Sequence, residues 1–218
     1  MKISYRLFLL CAVLVFRCFS TAFSKDHVVW RLGEKDGSCR EFALHDVAYS
    51  DFSKRYTCVT TLCQIGTDDS RNIPCAFPGP KDVWAGRQSG ELLLRFGVGR
   101  SAPQARARLV LNFVEVHPYS PPVLEIAVNG FRTMVETPAG KNSSFFQSWT
   151  TDSHGLAVCV DLPEGTLQAG ENRVSIRNES GSWIVWEALP LTTDASVAAS
   201  KLHEKVELHG VKSSPALM

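Results

Sequence analysis

Charge of one sign is what this sequence most plainly lacks. Its 23 Lys and Arg stand against 22 Asp and Glu, a net charge of +1. Both signs are scattered along the chain. That excludes the basic patch of a nucleic-acid binder and a charged tail aimed at an oppositely charged partner. Beyond residue 24 no stretch is apolar enough for a membrane helix. The cysteines show neither paired C-x-x-C spacing nor a companion histidine close by, which argues against a zinc site. There is no G-x-S-x-G elbow, so the usual serine-hydrolase arrangement is absent. Internal repeats, low-complexity segments and convincing helical periodicity are missing as well.

What is present begins with an export signature. Lys2 and Arg6 make a basic start, Leu7 to Phe16 is apolar but short for a bilayer, and Ala22-Phe23-Ser24 offers small residues at the two positions a signal peptidase reads. Residues 1–24 are therefore expected to be a signal peptide, cut before Lys25. Arg17 interrupts the apolar run, which disfavours an uncleaved anchor. Leu10 before Cys11 and Arg17 before Cys18 disfavour a lipoprotein. The mature chain is expected to be a secreted or extracytoplasmic monomer with no membrane attachment.

Cleavage would leave Cys39, Cys58, Cys63, Cys75 and Cys159. An oxidising compartment then allows two bridges and one leftover thiol. Because Cys58, Cys63 and Cys75 share one loop-rich region, a local bridge among them is the expectation.

At 218 residues the chain can bury one sizeable core. The opening stretch, VVWRLGEKDGSCREF from Val28 to Phe42, reads as two short strands around an Asp36-Gly37 turn, with Trp30 and Phe42 anchoring the core. Residues 45–57 are polar and irregular. Thr57 to Gly66 reads as a strand, and Thr67 to Pro80 as a turn-rich loop. In ELLLRFGV, Leu92, Leu94, Phe96 and Val98 alternate with Glu91, Arg95 and Gly97, a half-buried strand. Arg106 to His117 is apolar on both faces through its middle. A Pro-rich turn at Pro118 to Pro122 follows, then alternation at Leu124, Ile126 and Val128, an Asn129-Gly130 hairpin turn, and a return over Phe131 to Thr137. After a long loop at 138–155, Leu156 to Leu162 alternates with Cys159 on the face opposite Val158 and Val160. Pro163-Glu164-Gly165 and Gln168 to Asn172 turn the chain, Val174 and Ile176 point inward, and Trp183 to Leu191 is the last strand. Residues 193–218 read as a frayed tail or short helix. Many short strands divided by Gly, Pro and Asn turns indicate an all-β sandwich of antiparallel sheets over residues 25–192.

Several of these stretches, in order, resemble one family. They are Trp30 to Gly33 with Asp36-Gly37-Ser38 and Glu41-Phe42, Gln64-Ile65-Gly66 with Asp69 and Pro74, Asp82 to Gly86 (DVWAG), Val128-Asn129-Gly130, Leu167 to Asn172 (LQAGEN), and Gly181-Ser182-Trp183 through Leu191. Together they resemble the carbohydrate-binding-module-like third domain of family-four polysaccharide lyases, the rhamnogalacturonan lyase type, over about residues 28–191. The resemblance implies a galactose-binding-like jelly roll, an accessory and non-catalytic role, and a polysaccharide partner, pectic or otherwise acidic. Many jelly-roll binding modules hold a structural calcium where the first and last strands meet. Glu41 and Glu187 stand there in this chain, with Asp46 as a third candidate. Glu187 replaces a common Asp, however, and the favoured reading is plain carboxylates on the sheet rim, with no metal. No cofactor is expected.

A sugar ring shows an apolar face and a rim of hydroxyls, so its site needs an aromatic platform with polar flanks. Trp84 follows a Pro/Gly loop beside Arg87, and Trp149 sits in a polar loop. These are the candidate platforms. Trp30, Trp183 and Trp186 lie on strands and are expected in the core. Arg87, Arg132 and Lys141 are the candidate partners for uronate carboxylates. Each of these residues has a plain structural alternative, an indole plugging the sandwich edge or a solvated surface cation.

The competing functions are a structural or protein-interaction jelly roll and a small polysaccharide lyase or hydrolase. For the latter Glu41, Asp46, Glu115 and Asp161 are the available carboxylates, without any pattern that pairs them. Asn142-Ser143-Ser144 and Asn178-Glu179-Ser180 fit the N-glycosylation pattern.

Overall fold

Where apolar residues alternate with period two the chain forms strands, and their inward side chains meet between two sheets. The structure, a computed structural model, describes residues 27–55, 60–143, 155–197 and 199–200. The expected signal peptide and residues 201–218 lie outside them. The strands are β1 (His27–Gly33), β2 (Thr60–Gln64), β3 (Ala76–Phe77), β4 (Glu91–Val98), β5 (Ala107–Val116), β6 (Val123–Val128), β7 (Phe131–Glu136), β8 (Leu156–Leu162), β9 (Gly170–Ser180), β10 (Ile184–Thr193) and β11 (Ala199–Ser200). One sheet runs β1-β10-β5-β8, with β3 also on β10. The other runs β11-β4-β9-β6-β7, with β2 also on β4. β1 and β3 divide one edge of β10 between them, along residues 188–193 and 184–185. β2 and β11 divide one edge of β4 in the same way. This is the all-β sandwich that the alternation and turn spacing predict, of the jelly-roll kind that the family resemblance implies.

Leu92, Leu94 and Phe96 of β4, Leu124 and Ile126 of β6, and Val174 and Ile176 of β9 line the inner face of one sheet. Leu109, Leu111, Phe113, Trp186 and Leu191 line the other, and all of these are buried. Trp30 of β1 meets Phe96 of β4 edge to face at 5.5 Å, which joins the two sheets directly. Trp186 packs between Phe77 and Phe113, at 5.3 and 5.7 Å. A fully buried indole removes about 150–250 Å² from water, or about 4–6 kcal/mol at 25 cal/mol per Å². Trp30, Trp183 and Trp186 are all core residues, as their strand positions suggested.

Five expectations need correction. β2 runs parallel to β4 rather than antiparallel. Parallel neighbours need a long connection, and residues 65–90 supply it. The opening hairpin does not close. β1 pairs with β10 instead, and residues 38–42 cross back as turns that bury Phe42. The Gly37 N–H donates to Glu187 Oε1 at 2.7 Å and ties the turn to β10. A side chain at Gly33, where φ is +70°, would overlap Phe42 and the Glu187 carbonyl. Within the irregular 45–57 stretch lies a helix, α1 (Tyr49–Arg55), with Asp51 in its first turn and Lys54 and Arg55 in its last. That charge order suits the helix dipole, and Phe52 anchors the helix in the core. Finally, β4 is covered on both faces from Arg95 onward. Arg95 is buried rather than solvated because Glu171 pairs with it through two hydrogen bonds. Past Thr193, strand pairing resumes at β11.

Candidate functional site

Antiparallel pairing brings the loops after β3, β5, β7 and β9 to one end of the sandwich, and backbone hydrogen bonds lace them together. Lys81 N–H donates to the Gly181 carbonyl at 2.8 Å and Ser182 N–H to the Ser120 carbonyl at 2.9 Å. His117 N–H donates to the Trp183 carbonyl and Thr137 N–H to the Pro122 carbonyl, both at 3.0 Å. Glu115, buried near the end of β5, accepts the Lys141 N–H at 3.1 Å and the Asn142 N–H at 3.2 Å. The loop after β7 is thereby fixed to β5.

Among the described residues, the loop after β3 carries the most exposed indole. Asp82 is buried, and its Oδ1 accepts the N–H groups of Trp84 at 3.1 Å and Ala85 at 3.3 Å. Its carbonyl accepts the Arg87 N–H at 2.7 Å. The turn closes through Gly86 and Arg87, both at positive φ. Asp in this position satisfies amide groups that would otherwise be orphaned. Trp84 thus stands 65% exposed on a rigid turn, beside Val83 at 60%. An indole held in water this way is available to stack on an apolar face.

Trp84, Arg87 and Lys141 therefore share one end of the molecule, and all three are exposed. Among the described residues no carboxylate pairs with Arg87 or Lys141. Arg132 does not join them. It lies near the start of β7 on the outer face of its sheet and is paired to Glu125. Trp149 lies outside the described residues. Sequence reasoning missed Tyr119, which is 84% exposed in the neighbouring Pro-rich loop. The signal was there, since an aromatic between His117-Pro118 and Ser120-Pro121 has the same setting as Trp84. Behind Tyr119, His117 meets Trp183 edge to face at 5.3 Å. Burial pushes its imidazole below the ordinary value, and the Asp82 carboxylate opposes that shift.

The carboxylates considered for hydrolysis are dispersed. Asp161 pairs with Arg108 across the β5–β8 ladder. Seven residues of strand separate Arg108 from Glu115, about 23 Å at 3.3 Å each. Asp46 is exposed and lines a cavity of about 420 Å³ beside α1, together with Val47, Ala48, Asp51, Lys54 and Arg55. Among the described residues there is no group of three or more His, Cys, Asp or Glu that could hold a metal ion, so Asp46 does not complete a set with Glu41 and Glu187. Glu41 and Glu187 nevertheless each keep one buried carboxylate oxygen without a hydrogen-bond partner. Orphaned carboxylate oxygens fit a hard cation such as calcium, which neutralises charge and takes oxygen ligands.

The cysteine arrangement also differs from expectation. Cys63 and Cys75 do not bridge, and Cys39, Cys63 and Cys75 are thiols in this structure. Cys63 faces inward from β2, and burial pushes its thiol up to about 12, with Asp68 and Asp69 adding to the shift. Cys58 lies outside the described residues. Asn178 is fully buried and donates to the Ser182 carbonyl at 2.9 Å, so its glycosylation pattern is inaccessible in the fold.

The chain is similar in fold to a family 35 carbohydrate-binding module from an environmental isolate, at 16% identity over 52% of this chain and 72% of that one, with a TM-score of 0.36. It is also similar to the CBM35 of Cellvibrio japonicus Abf62, at 14% identity over 52% and 73%, TM-score 0.34. For the Podospora anserina GH26-CBM35 β-(1,4)-mannanase the values are 20% identity over 49% of this chain and 20% of that one, TM-score 0.33. No curated protein matches. The family described as CBM-like, polysaccharide lyase family 4, domain III, matches residues 28–191, most of the chain. The chain belongs to that family of carbohydrate-binding-module-like domains.

Proposed function

We propose that this domain is exported and, without breaking bonds itself, holds acidic plant-cell-wall polysaccharide of the rhamnogalacturonan kind. The reading is carried by Trp84, an indole 65% exposed on a turn that Asp82 makes rigid. A pyranose can lay its C–H face on that indole at little entropic cost, because the platform is already ordered. Arg87 and Lys141 stand at the same end of the sandwich as cations for uronate carboxylates. Tyr119 offers a second aromatic surface in the adjoining loop.

The test is calorimetric titration of the purified chain with rhamnogalacturonan and homogalacturonan oligosaccharides, and with neutral mannan as a control. Binding to the acidic glycans is expected, and Trp84→Ala should weaken it about 10- to 100-fold, the equivalent of about 1.4–2.8 kcal/mol. The melting temperature should not change. Absence of binding to every glycan, or binding indifferent to Trp84→Ala, would overturn the reading. Release of unsaturated uronate products by the chain alone would overturn its non-catalytic part.

A further inference from the structure

Cys39 and Cys75 are far apart in sequence and brought together by the way residues 39–43 lie along residues 73–75. Ala43 N–H donates to the Ile73 carbonyl at 2.9 Å, and Cys75 N–H donates to the Ala43 carbonyl at 2.8 Å. Ala43 and Pro74 form a parallel bridge, and the turn that starts this segment closes from Phe42 N–H to the Cys39 carbonyl at 3.0 Å. Both sulfur-bearing side chains are buried. The Cys75 thiol lies 3.4 Å from the Leu44 carbonyl, to which it donates. Its other side-chain partner is the Cys39 thiol. The remaining described cysteines are elsewhere, Cys63 facing inward from β2 and Cys159 exposed on β8.

We propose that Cys39 and Cys75 form a structural disulfide in the exported chain. The Cys75 thiol already contacts the Cys39 thiol, and the paired 43–74 backbone holds their segments side by side, as a bridge requires. Burial and the neighbouring thiol hold Cys75 well above the ordinary thiol value. Cys75 is thus poorly suited to act as a thiolate nucleophile in the folded state. The bridge would pin the 39–43 turn, with Phe42 in the core and Glu41 beside it, against the segment that leads into β3.

The oxidant is a protein or small-molecule disulfide of the compartment that receives the chain. One cysteine thiolate attacks a sulfur of that disulfide, forming a mixed disulfide and releasing one thiolate. The second cysteine, losing its own proton, attacks the mixed disulfide and releases the other. The two cysteine sulfurs lose two electrons and two protons in all, and the oxidant becomes two thiols. Because both sulfurs are buried in the fold, exchange occurs before the core closes.

The inference rests on the export part of the proposed function, and the experiment separates the two. The full chain is made by secretion into an oxidising compartment. In parallel, chain made reduced is refolded in a glutathione redox buffer, which tests the pairing without export. Each sample is denatured without reductant, alkylated, digested and mapped by mass spectrometry. A Cys39–Cys75 linked peptide two hydrogens lighter than the reduced pair is expected in both. If only the refolded sample carries it, the pairing stands and export falls. Complete alkylation of Cys39 and Cys75 after refolding, or a bridge from either to Cys58 or Cys63, overturns the inference. The mapping needs only the wild-type chain. Where the variants fold, Cys39→Ala and Cys75→Ala should each lower the melting temperature by about 5–15 °C. The double variant should lose no more than either single, and its melting should be insensitive to dithiothreitol.

Discussion

Glu171 grips Arg95 with two parallel hydrogen bonds, Nε to Oε1 at 3.1 Å and Nη2 to Oε2 at 2.8 Å, and the Arg95 side chain is only 2% exposed. The guanidinium is buried on the strand while its partner reaches in from the rim.

That pairing predicts a specific acid response. Arg95 and then Arg173 hold the Glu171 carboxyl below its ordinary value of 4.5, against an opposing effect of burial. A carboxylate with a lowered folded pKa stabilises the fold above its unfolded value, and the contribution disappears as pH falls through the folded value. Glu171→Gln should therefore cost about 2–3 kcal/mol at pH 7, less than a fully buried pair because Glu171 is partly solvated. The gap between variant and wild type should narrow progressively as pH falls below the ordinary value of 4.5. Urea melts across a falling pH series from pH 7 measure both, and a gap that does not narrow would contradict the assignment.

Glu115 is predicted to be a structural acid. Its carboxylate accepts N–H groups from Val116, Lys141 and Asn142, and a side chain at Gly140 would overlap it. Glu115→Ala leaves amide groups without acceptors and should cost about 2–3 kcal/mol. Hydrogen exchange should accelerate at Lys141 and Asn142 well before global unfolding. Gly140→Ala should produce the same local signature by steric displacement.

Asp82 should control affinity without touching the ligand. Removing its carboxylate in Asp82→Ala frees the Trp84 and Ala85 amides, so the indole is no longer ordered before binding. Glycan affinity should fall about 3- to 10-fold with a stability loss of about 1–2 kcal/mol. Asp82→Asn, which keeps an acceptor oxygen, should recover most of the affinity. Calorimetry and thermal melts on both variants distinguish this from a simple loss of fold.

The unpartnered oxygens of Glu41 and Glu187 predict a cation effect. Millimolar calcium should raise the melting temperature of the wild-type chain by mass action on the folded state, and chelator should lower it. Glu187→Gln should abolish the response. Magnesium should act more weakly, because it gives up its water less readily. A calcium response unchanged in Glu187→Gln would place the ion elsewhere.

Local pattern was enough for much of this. The alternation of Leu124, Ile126 and Val128, the Asn129-Gly130 turn and the double-sided apolar run of β5 each show in sequence as the structure has them. Each depends on neighbours two residues away. The helix α1 was not legible, since a seven-residue helix with Phe52 as its buried anchor has too little periodicity to register. Arg95 read as solvated because its partner is 76 residues distant. Tyr119 was legible and overlooked.

Residue order alone therefore determined an all-β chain, its strand-forming stretches and the indoles that belong in the core. Those follow from side-chain periodicity and turn chemistry, which act over a few residues. Tertiary structure alone decided that β1 pairs with β10, that Trp84, Arg87 and Lys141 share an end while Arg132 does not, and that Cys39 lies beside Cys75. These depend on which edges and loops meet across the sandwich. Backbone pairing at long range sets that, and no short window of sequence contains it.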